Sequence, residues 1–347
     1  MLLKGLILGL CCFCGQIAAQ ESVTLQLKWT HQFQFAGYYM AKEKGFYKDV
    51  GLDVTINPAD LTMPDAFSAV ANGDAEFGVG HSGILQERIN GQSFVAMAPI
   101  LQYSPYCWMV KDTSDIFHPR DFVNKRISKV SHNDSNELMA MLTRSGVNTR
   151  LLSVYNGDNP SQAWIENRLD AMQVYLSTEP YNMTQRGISH RLICPQRYGI
   201  DVYADILYTT GKMLSTSPET VEKFYQASLK GWRYAMMNMD EAIAVTQILY
   251  APNKSFHELA YEAEVLKEYI MPATTSLGHM SIPKWRLIAD LYGIHQTEFD
   301  KVKASFIYKY QRPEKIELSW MLIAAMIVSV ISIPLYLRLM FSKKITV

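Results

Sequence analysis

The chain has 347 residues, 48% of them apolar and 19% charged, and its 33 Lys plus Arg balance 33 Asp plus Glu. A formal net charge of zero excludes a bulk electrostatic hold on nucleic acid or on an anionic membrane surface, so any partner must be read by a local site. The length suffices for two compact lobes, each with its own core.

Residues 1–19 begin with Lys4, run apolar from Leu6 to Phe13 and end in Ile17-Ala18-Ala19. That is the order of a secretory signal peptide, with Ile17 and Ala19 at the small-residue cleavage positions. Cleavage leaves Cys107 and Cys194 as the remaining cysteines. An oxidising compartment allows them to pair, but a long separation in sequence does not bring them together, and two separately buried thiols satisfy the pattern equally. After cleavage no Cys-x-x-Cys pair and no His-Glu-x-x-His remains, the one such cysteine spacing, Cys11 to Cys14, lying in the leader, so neither a metal site nor a cofactor is expected.

From residue 21 strand-like and helix-like segments alternate. Residues 23–27 read as a half-buried strand and 35–44 as a helix stopped by Gly45. Residues 51–56 form a second strand, and 63–72 a helix with Pro64 near its start and Gly73 at its end. Strands at 75–79 and 95–100 enclose a helix at 83–90. Repeats of this kind build a parallel sheet covered by helices. After Lys111 the pattern restarts, with strands at 125–130, 151–155 and 169–175 and helices at 136–144 and 161–167. From Tyr203 onward the chain reads as helical. Ser217-Pro218 caps a helix carrying Val221, Phe224, Leu229 and Trp232, and further helices follow at 240–250, 257–270, 283–292 and 297–308.

The expected fold is α/β and two-lobed. Residues 21–110 and 200–317 make lobe 1, residues 111–199 make lobe 2, and crossings near 110 and 200 form a hinge over a cleft. Residues 319–341 contain a charge-free apolar run with Trp320 and Tyr336 near its ends, followed by Arg338, Lys343 and Lys344. That pattern predicts one C-terminal transmembrane helix, with 342–347 in the cytoplasm. The expected location is the inner membrane, single-pass, with the folded domain in the periplasm.

In open α/β sheets ligands bind beyond the carboxyl ends of the strands. The loop from Lys28 to Tyr39 is rich in aromatics and amides. Trp29, His31 and Tyr38 in it either face a ligand or pack on the neighbouring helix. His81 and Ser82 lie in a glycine-rich turn that either admits a ligand at a helix start or simply turns the chain. Ser104 sits in another short polar and aromatic loop. Glu179 opens a helix, where it accepts from an amino group of a ligand or caps the helix. Asp201 and Asp205 either line the cleft or satisfy hinge backbone, and the second is expected.

The stretch Leu25-Gln-Leu-Lys-Trp-Thr-His-Gln-Phe-Gln-Phe-Ala-Gly-Tyr-Tyr-Met-Ala-Lys-Glu-Lys-Gly-Phe-Tyr47, followed by Gly51-Leu-Asp-Val54, resembles the opening of thiamine-pyrimidine and alkanesulfonate type periplasmic binding proteins. Phe77-Gly-Val-Gly80, Gln102-Tyr-Ser-Pro105, Glu179-Pro-Tyr181, Tyr198-Gly-Ile-Asp201 and Ala227-Ser-Leu-Lys-Gly-Trp232 extend the likeness. It implies a type II periplasmic-binding-protein fold and a small-molecule ligand. It also implies that Trp29 and Tyr175 stack a heterocycle while Glu179 holds its amino group. Similar modules are sensor domains of diguanylate cyclases and histidine kinases, or receptors for an ABC permease. Either kind of protein is a possible partner, with the inner membrane held through 319–341. Fungal relatives instead make the thiamine pyrimidine from histidine and pyridoxal phosphate, using a lysine, a histidine and a cysteine-rich motif. The matching positions here are Gly80 and Ile84, with no cysteines near Tyr203 to Tyr208, so binding rather than synthesis is expected.

Overall fold

The structure, a computed structural model, describes residues 20–60, 66–128 and 136–309. The leader at 1–19, the span expected at 319–341 and the tail at 342–347 lie outside those residues. Among the described residues no helix is long and apolar enough to cross a membrane.

Two five-stranded sheets organise the chain. The first contains β1 (Glu21–Gln26), β2 (Leu52–Asn57), β3 (Phe77–Gly80), β4 (Phe94–Leu101) and β10 (Ala204–Thr210), in the order β2-β1-β3-β10-β4. The second contains β5 (Tyr106–Lys111), β6 (Arg126–Ser128), β7 (Ser153–Tyr155), β8 (Ala171–Tyr175) and β9 (His190–Ile193), in the order β7-β6-β8-β5-β9. β1, β2 and β3 pair in parallel, as do β7, β6 and β8. That is the strand–helix–strand register read from the repeats.

The sequence reading lacks β10 in the first sheet and both β5 and β9 in the second. β5 runs antiparallel to β8 and β9, and β10 runs antiparallel to β3 and β4. Residues 204–210 are therefore a central strand and not the start of the helical region. The first crossing falls at 102–105, ahead of Tyr106, rather than at 110, because β5 already belongs to the second sheet. The return runs through 194–203.

Helices cover both sheets. Ala36–Glu43 crosses Pro218–Met237 at close range: a Cβ on Gly231 would lie 2.2 Å from the Gly37 carbonyl, and one on Gly37 would meet the Trp232 ring at 2.0 Å. Behind that contact Phe77 stacks on Phe224 at 3.8 Å between centroids.

The two crossings are fastened to each other at both ends. On the lobe 2 side a disulfide joins Cys107 in β5 to Cys194 just after β9. On the lobe 1 side Lys284, in the helix Ile282–Leu291, places its ammonium 2.5 Å from the Gln102 carbonyl and 2.5 Å from Asp201 Oδ1. The same ammonium lies over the rings of Tyr103 at 4.7 Å and Tyr203 at 4.5 Å. Asp201 thus holds the hinge through a side-chain partner.

Candidate functional site

A cavity of about 400 Å³ opens between the two sheets, at the carboxyl ends of β1, β6, β7 and β8. Such a volume suits a drug-sized ring. From lobe 1 it receives Lys28, Trp29, Gln32 and Gln34, all on the loop after β1. From lobe 2 come Tyr106 at the start of β5, Ser128 at the end of β6, Tyr155, and the run Gln173 to Tyr175 with Thr178 and Glu179.

Local sequence explains these placements. Alternation along β1 buries Val23, Leu25 and Leu27, and the strand's exit carries Lys28 and Trp29 to the sheet edge. Trp29 remains 47% exposed, an indole left open at a cavity wall. Thr178 and Pro180 start the helix Glu179–Gln185, which fixes Glu179 beside β8. The Tyr175 amide donates to Glu179 Oε2 at 2.7 Å. Burial pushes the Glu179 carboxyl above the usual carboxylate range, against the pull of N–H donors from Tyr175 and its own backbone and of the Lys254 charge.

The floor is a charge pair between rings. Lys28 Nζ lies 2.6 Å from Asp205 Oδ1, with side chains only 8% and 1% exposed. The ammonium also stands 5.8 Å from the Tyr106 ring centre and 5.5 Å from that of Tyr175, and the two rings meet edge to face at 5.2 Å. Gln34 Nε2 donates to Asp205 Oδ2 at 2.7 Å, and the Tyr175 hydroxyl approaches at 3.4 Å. Asp205 adopts φ 47°, left-handed backbone that side chains rarely take.

Beside the floor is a second buried group. The Phe33 amide donates to Glu262 Oε2 at 2.9 Å, and Lys254 Nζ lies 2.9 Å from Glu262 Oε1 while also bonding Glu258. Burial raises the Glu262 carboxyl to about 7, although Lys254 and the Phe33 amide pull it down.

Of the residues singled out in sequence, Trp29, Tyr175 and Glu179 stand in the cavity wall, and the others are placed elsewhere. His31 Nδ1 is 2.9 Å from the Tyr39 hydroxyl, its ring lies edge-on to Tyr250, and burial lowers its pKa. Tyr38 is wholly buried, edge to face with Trp232 at 5.6 Å, because the close helix crossing claims it. His81 packs on Phe67 and its Nδ1 accepts from the Gly83 amide at 3.1 Å, so it serves its own turn. Ser82 lies 3.0 Å from the Tyr292 hydroxyl, and Ser104 bonds Glu137 across the first crossing. The chain itself fills the space after β3. A Cβ on Gly80 would meet the Phe67 ring at 2.6 Å, which leaves no room there for a lysine side chain.

Lys28 and Tyr106 line the cavity without standing out in the sequence, and Asp205 lies at the cavity floor instead of in the hinge-backbone role expected for it. Lys28 and Tyr106 sat inside the aromatic loops as further ring-and-amide content. Asp205 gave no local signal, since its partners Gln34 and Lys28 are remote in sequence. Among the described residues no group of His, Cys, Asp and Glu is arranged to hold a metal.

A family model described as NMT1/THI5 like matches residues 32–242, more than half of the chain. The chain belongs to the NMT1/THI5-like family. Within this setting it is 23% identical over 287 residues to the riboflavin-binding protein RibY of Chloroflexus aurantiacus, covering 80% of this chain and 77% of that one. It is also 23% identical over 233 residues to a formylaminopyrimidine-binding protein of Halalkalibacterium halodurans, covering 65% and 70% of the two chains. The periplasmic aliphatic sulphonate binding protein SsuA of Escherichia coli superposes with a TM-score of 0.63 at 12% identity, over 87% of this chain and 96% of that one. The NMT1/THI5-like chain therefore has the two-sheet periplasmic-binding-protein fold expected from its motifs.

Proposed function

We propose that this chain is an exported receptor that closes its two lobes on a small, flat nitrogen heterocycle of the pyrimidine or flavin kind. Trp29 and Tyr175 supply faces for the ring, and Glu179 accepts from a ring amino or imide N–H. The observation that carries this reading is the composition of the cavity wall: an exposed indole, tyrosine rings and one desolvated carboxyl, at the carboxyl ends of strands from both sheets. The names of two relatives point the same way, one to a flavin and the other to a pyrimidine. The signal peptide at 1–19 and the apolar run at 319–341 support a periplasmic domain tethered to the inner membrane. From there it hands its ligand to an ABC permease or signals to a separate partner. Lobe closure about 102–105 and 194–203 is the motion this requires.

The test is thermal unfolding of the full chain with riboflavin, aminopyrimidines, pyridoxal phosphate, amino acids and sulfonates. A ligand that binds the folded state alone raises the midpoint. A shift with a pyrimidine or flavin is expected, and Trp29→Ala should weaken that binding by about tenfold to a hundredfold through lost stacking. Glu179→Ala should weaken it too. A panel in which only amino acids or pyridoxal phosphate shift the midpoint would overturn the reading.

A further inference from the structure

Proteins that hold anions offer them an unanswered ammonium or guanidinium, or the free N–H groups at a helix start. This cavity has such donors nearby. Among the described residues the helix starts named here are met from within the chain, and the Lys28 charge is balanced by Asp205 although its Nζ makes no hydrogen bond of ordinary geometry. The Lys28 ammonium is paired with Asp205 at 2.6 Å. The turn Phe33–Phe35 begins with an amide that donates to the buried Glu262 carboxyl. The helix Pro160–Ile165 is capped by Asn159, whose side chain accepts from the Gln162 amide at 2.9 Å. The helix Glu179–Gln185 carries its own carboxyl at its first residue. Lys28 and Glu179 are the charged side chains among the described lining residues, and Asp205 lies directly behind Lys28.

We infer that the pocket selects an uncharged or cationic ring and turns away phosphate esters, sulfonates and carboxylates, with Asp205 as the residue that sets this preference. The inference rests on the heterocycle reading above and narrows it. An anionic substituent entering the cleft meets Glu179 and a lysine whose charge is spent on Asp205. It must then be desolvated without a charged donor in return. Like-charge juxtaposition is an established route to rejecting a wrong ligand. The same fold serves a protein named for aliphatic sulphonate binding, so the fold does not impose the preference. It comes from the side chain at 205. Asp205 is also built in: Gln34 and Tyr175 approach its carboxylate, and its backbone takes a left-handed conformation that Asn tolerates as readily as Asp. Asp205→Asn therefore removes the charge with little change of shape and releases the Lys28 ammonium toward the cavity.

The experiment is calorimetric titration of the full chain with two matched pairs, hydroxymethylpyrimidine and its phosphate, and riboflavin and flavin mononucleotide. In whichever pair binds, the unphosphorylated member is expected to bind tighter by at least about tenfold. In Asp205→Asn that gap should shrink by about tenfold or reverse. Wild-type binding of a phosphate ester as tight as its parent, or tighter, overturns this inference and leaves the heterocycle site standing. An unchanged gap in a folded Asp205→Asn protein overturns the assignment to Asp205. Silence from both pairs removes the heterocycle reading and this inference with it. The wild-type comparison needs no variant, so poor folding of Asp205→Asn does not blunt the test.

Discussion

Asp201 and Asp205 flank the start of β10, and each holds a lysine from elsewhere in lobe 1. Their surroundings differ. At the hinge, Lys284 gathers a carbonyl and a ring from the first crossing and a carboxylate and a ring from the second. Burial lowers the Lys284 pKa and raises that of Asp201, each opposed by the attraction between them. At the cleft floor, Lys28 is paired with Asp205 and its side chain lines the open cavity while its ammonium stays buried. The same pair of residue types is a joint in one place and a filter in the other. What decides between these roles is whether the remaining surface of the pair meets protein or empty space.

Four measurements sharpen or break that contrast. The largest effect should come from the hinge's covalent fastening. The disulfide spans a sequence separation of 87, so replacing Cys107 and Cys194 by alanine should cost about 4 kcal/mol of stability in urea unfolding. The ligand preference should not move. A changed preference would mean that the hinge and the filter are one device.

Next comes the cleft floor. Lys28→Met leaves Asp205 1% exposed without its cation, and about 3 kcal/mol should be lost in the same assay. A loss no greater than that at the hinge lysine would remove the energetic side of the comparison.

Glu262, beside the floor, gives a pH signature. Its folded pKa of about 7 lies above the ordinary 4.5, so the folded chain keeps a proton that the unfolded chain has released between those values. Stability from this group is therefore full below about pH 4.5 and is lost as pH rises through about 7, a change of roughly 3 kcal/mol. Glu262→Gln should flatten that slope in unfolding curves recorded from pH 5 to pH 8. A slope that persists in Glu262→Gln would place its origin elsewhere.

The smallest effect is expected from Lys284→Met. Its partner Asp201 has a side chain 38% exposed, so water takes over much of the lost pairing and the cost should be about 1 kcal/mol. Binding of the paired ligands should keep its wild-type ratio. A reversed ratio would place part of the filter at the hinge.

The site was legible in proportion to how local its signals are. Trp29 and Glu179 stood out because an aromatic after a strand and a carboxyl at a helix start are short-range patterns. His31, Tyr38, His81 and Ser82 carried the same kind of signal, and the structure turns each toward a partner in its own chain. Residue type and loop position cannot separate the two outcomes, because the deciding neighbour, Trp232 for Tyr38 or Tyr292 for Ser82, lies far along the chain. Asp205 shows the limit from the other side: its carboxylate is read by Lys28, Gln34 and Tyr175, none near it in sequence.

By itself the sequence determined the parallel strands, most of the helices, the presence of two lobes and the family motif, since periodicity and caps act within a few residues of one another. Tertiary structure alone decided the antiparallel entry of β5 and β10, the meeting of Cys107 with Cys194, and which charge faces the cavity. Those depend on strand direction and on contacts across long stretches of chain, where a pattern of polar and apolar residues names a face but not the partner opposite it.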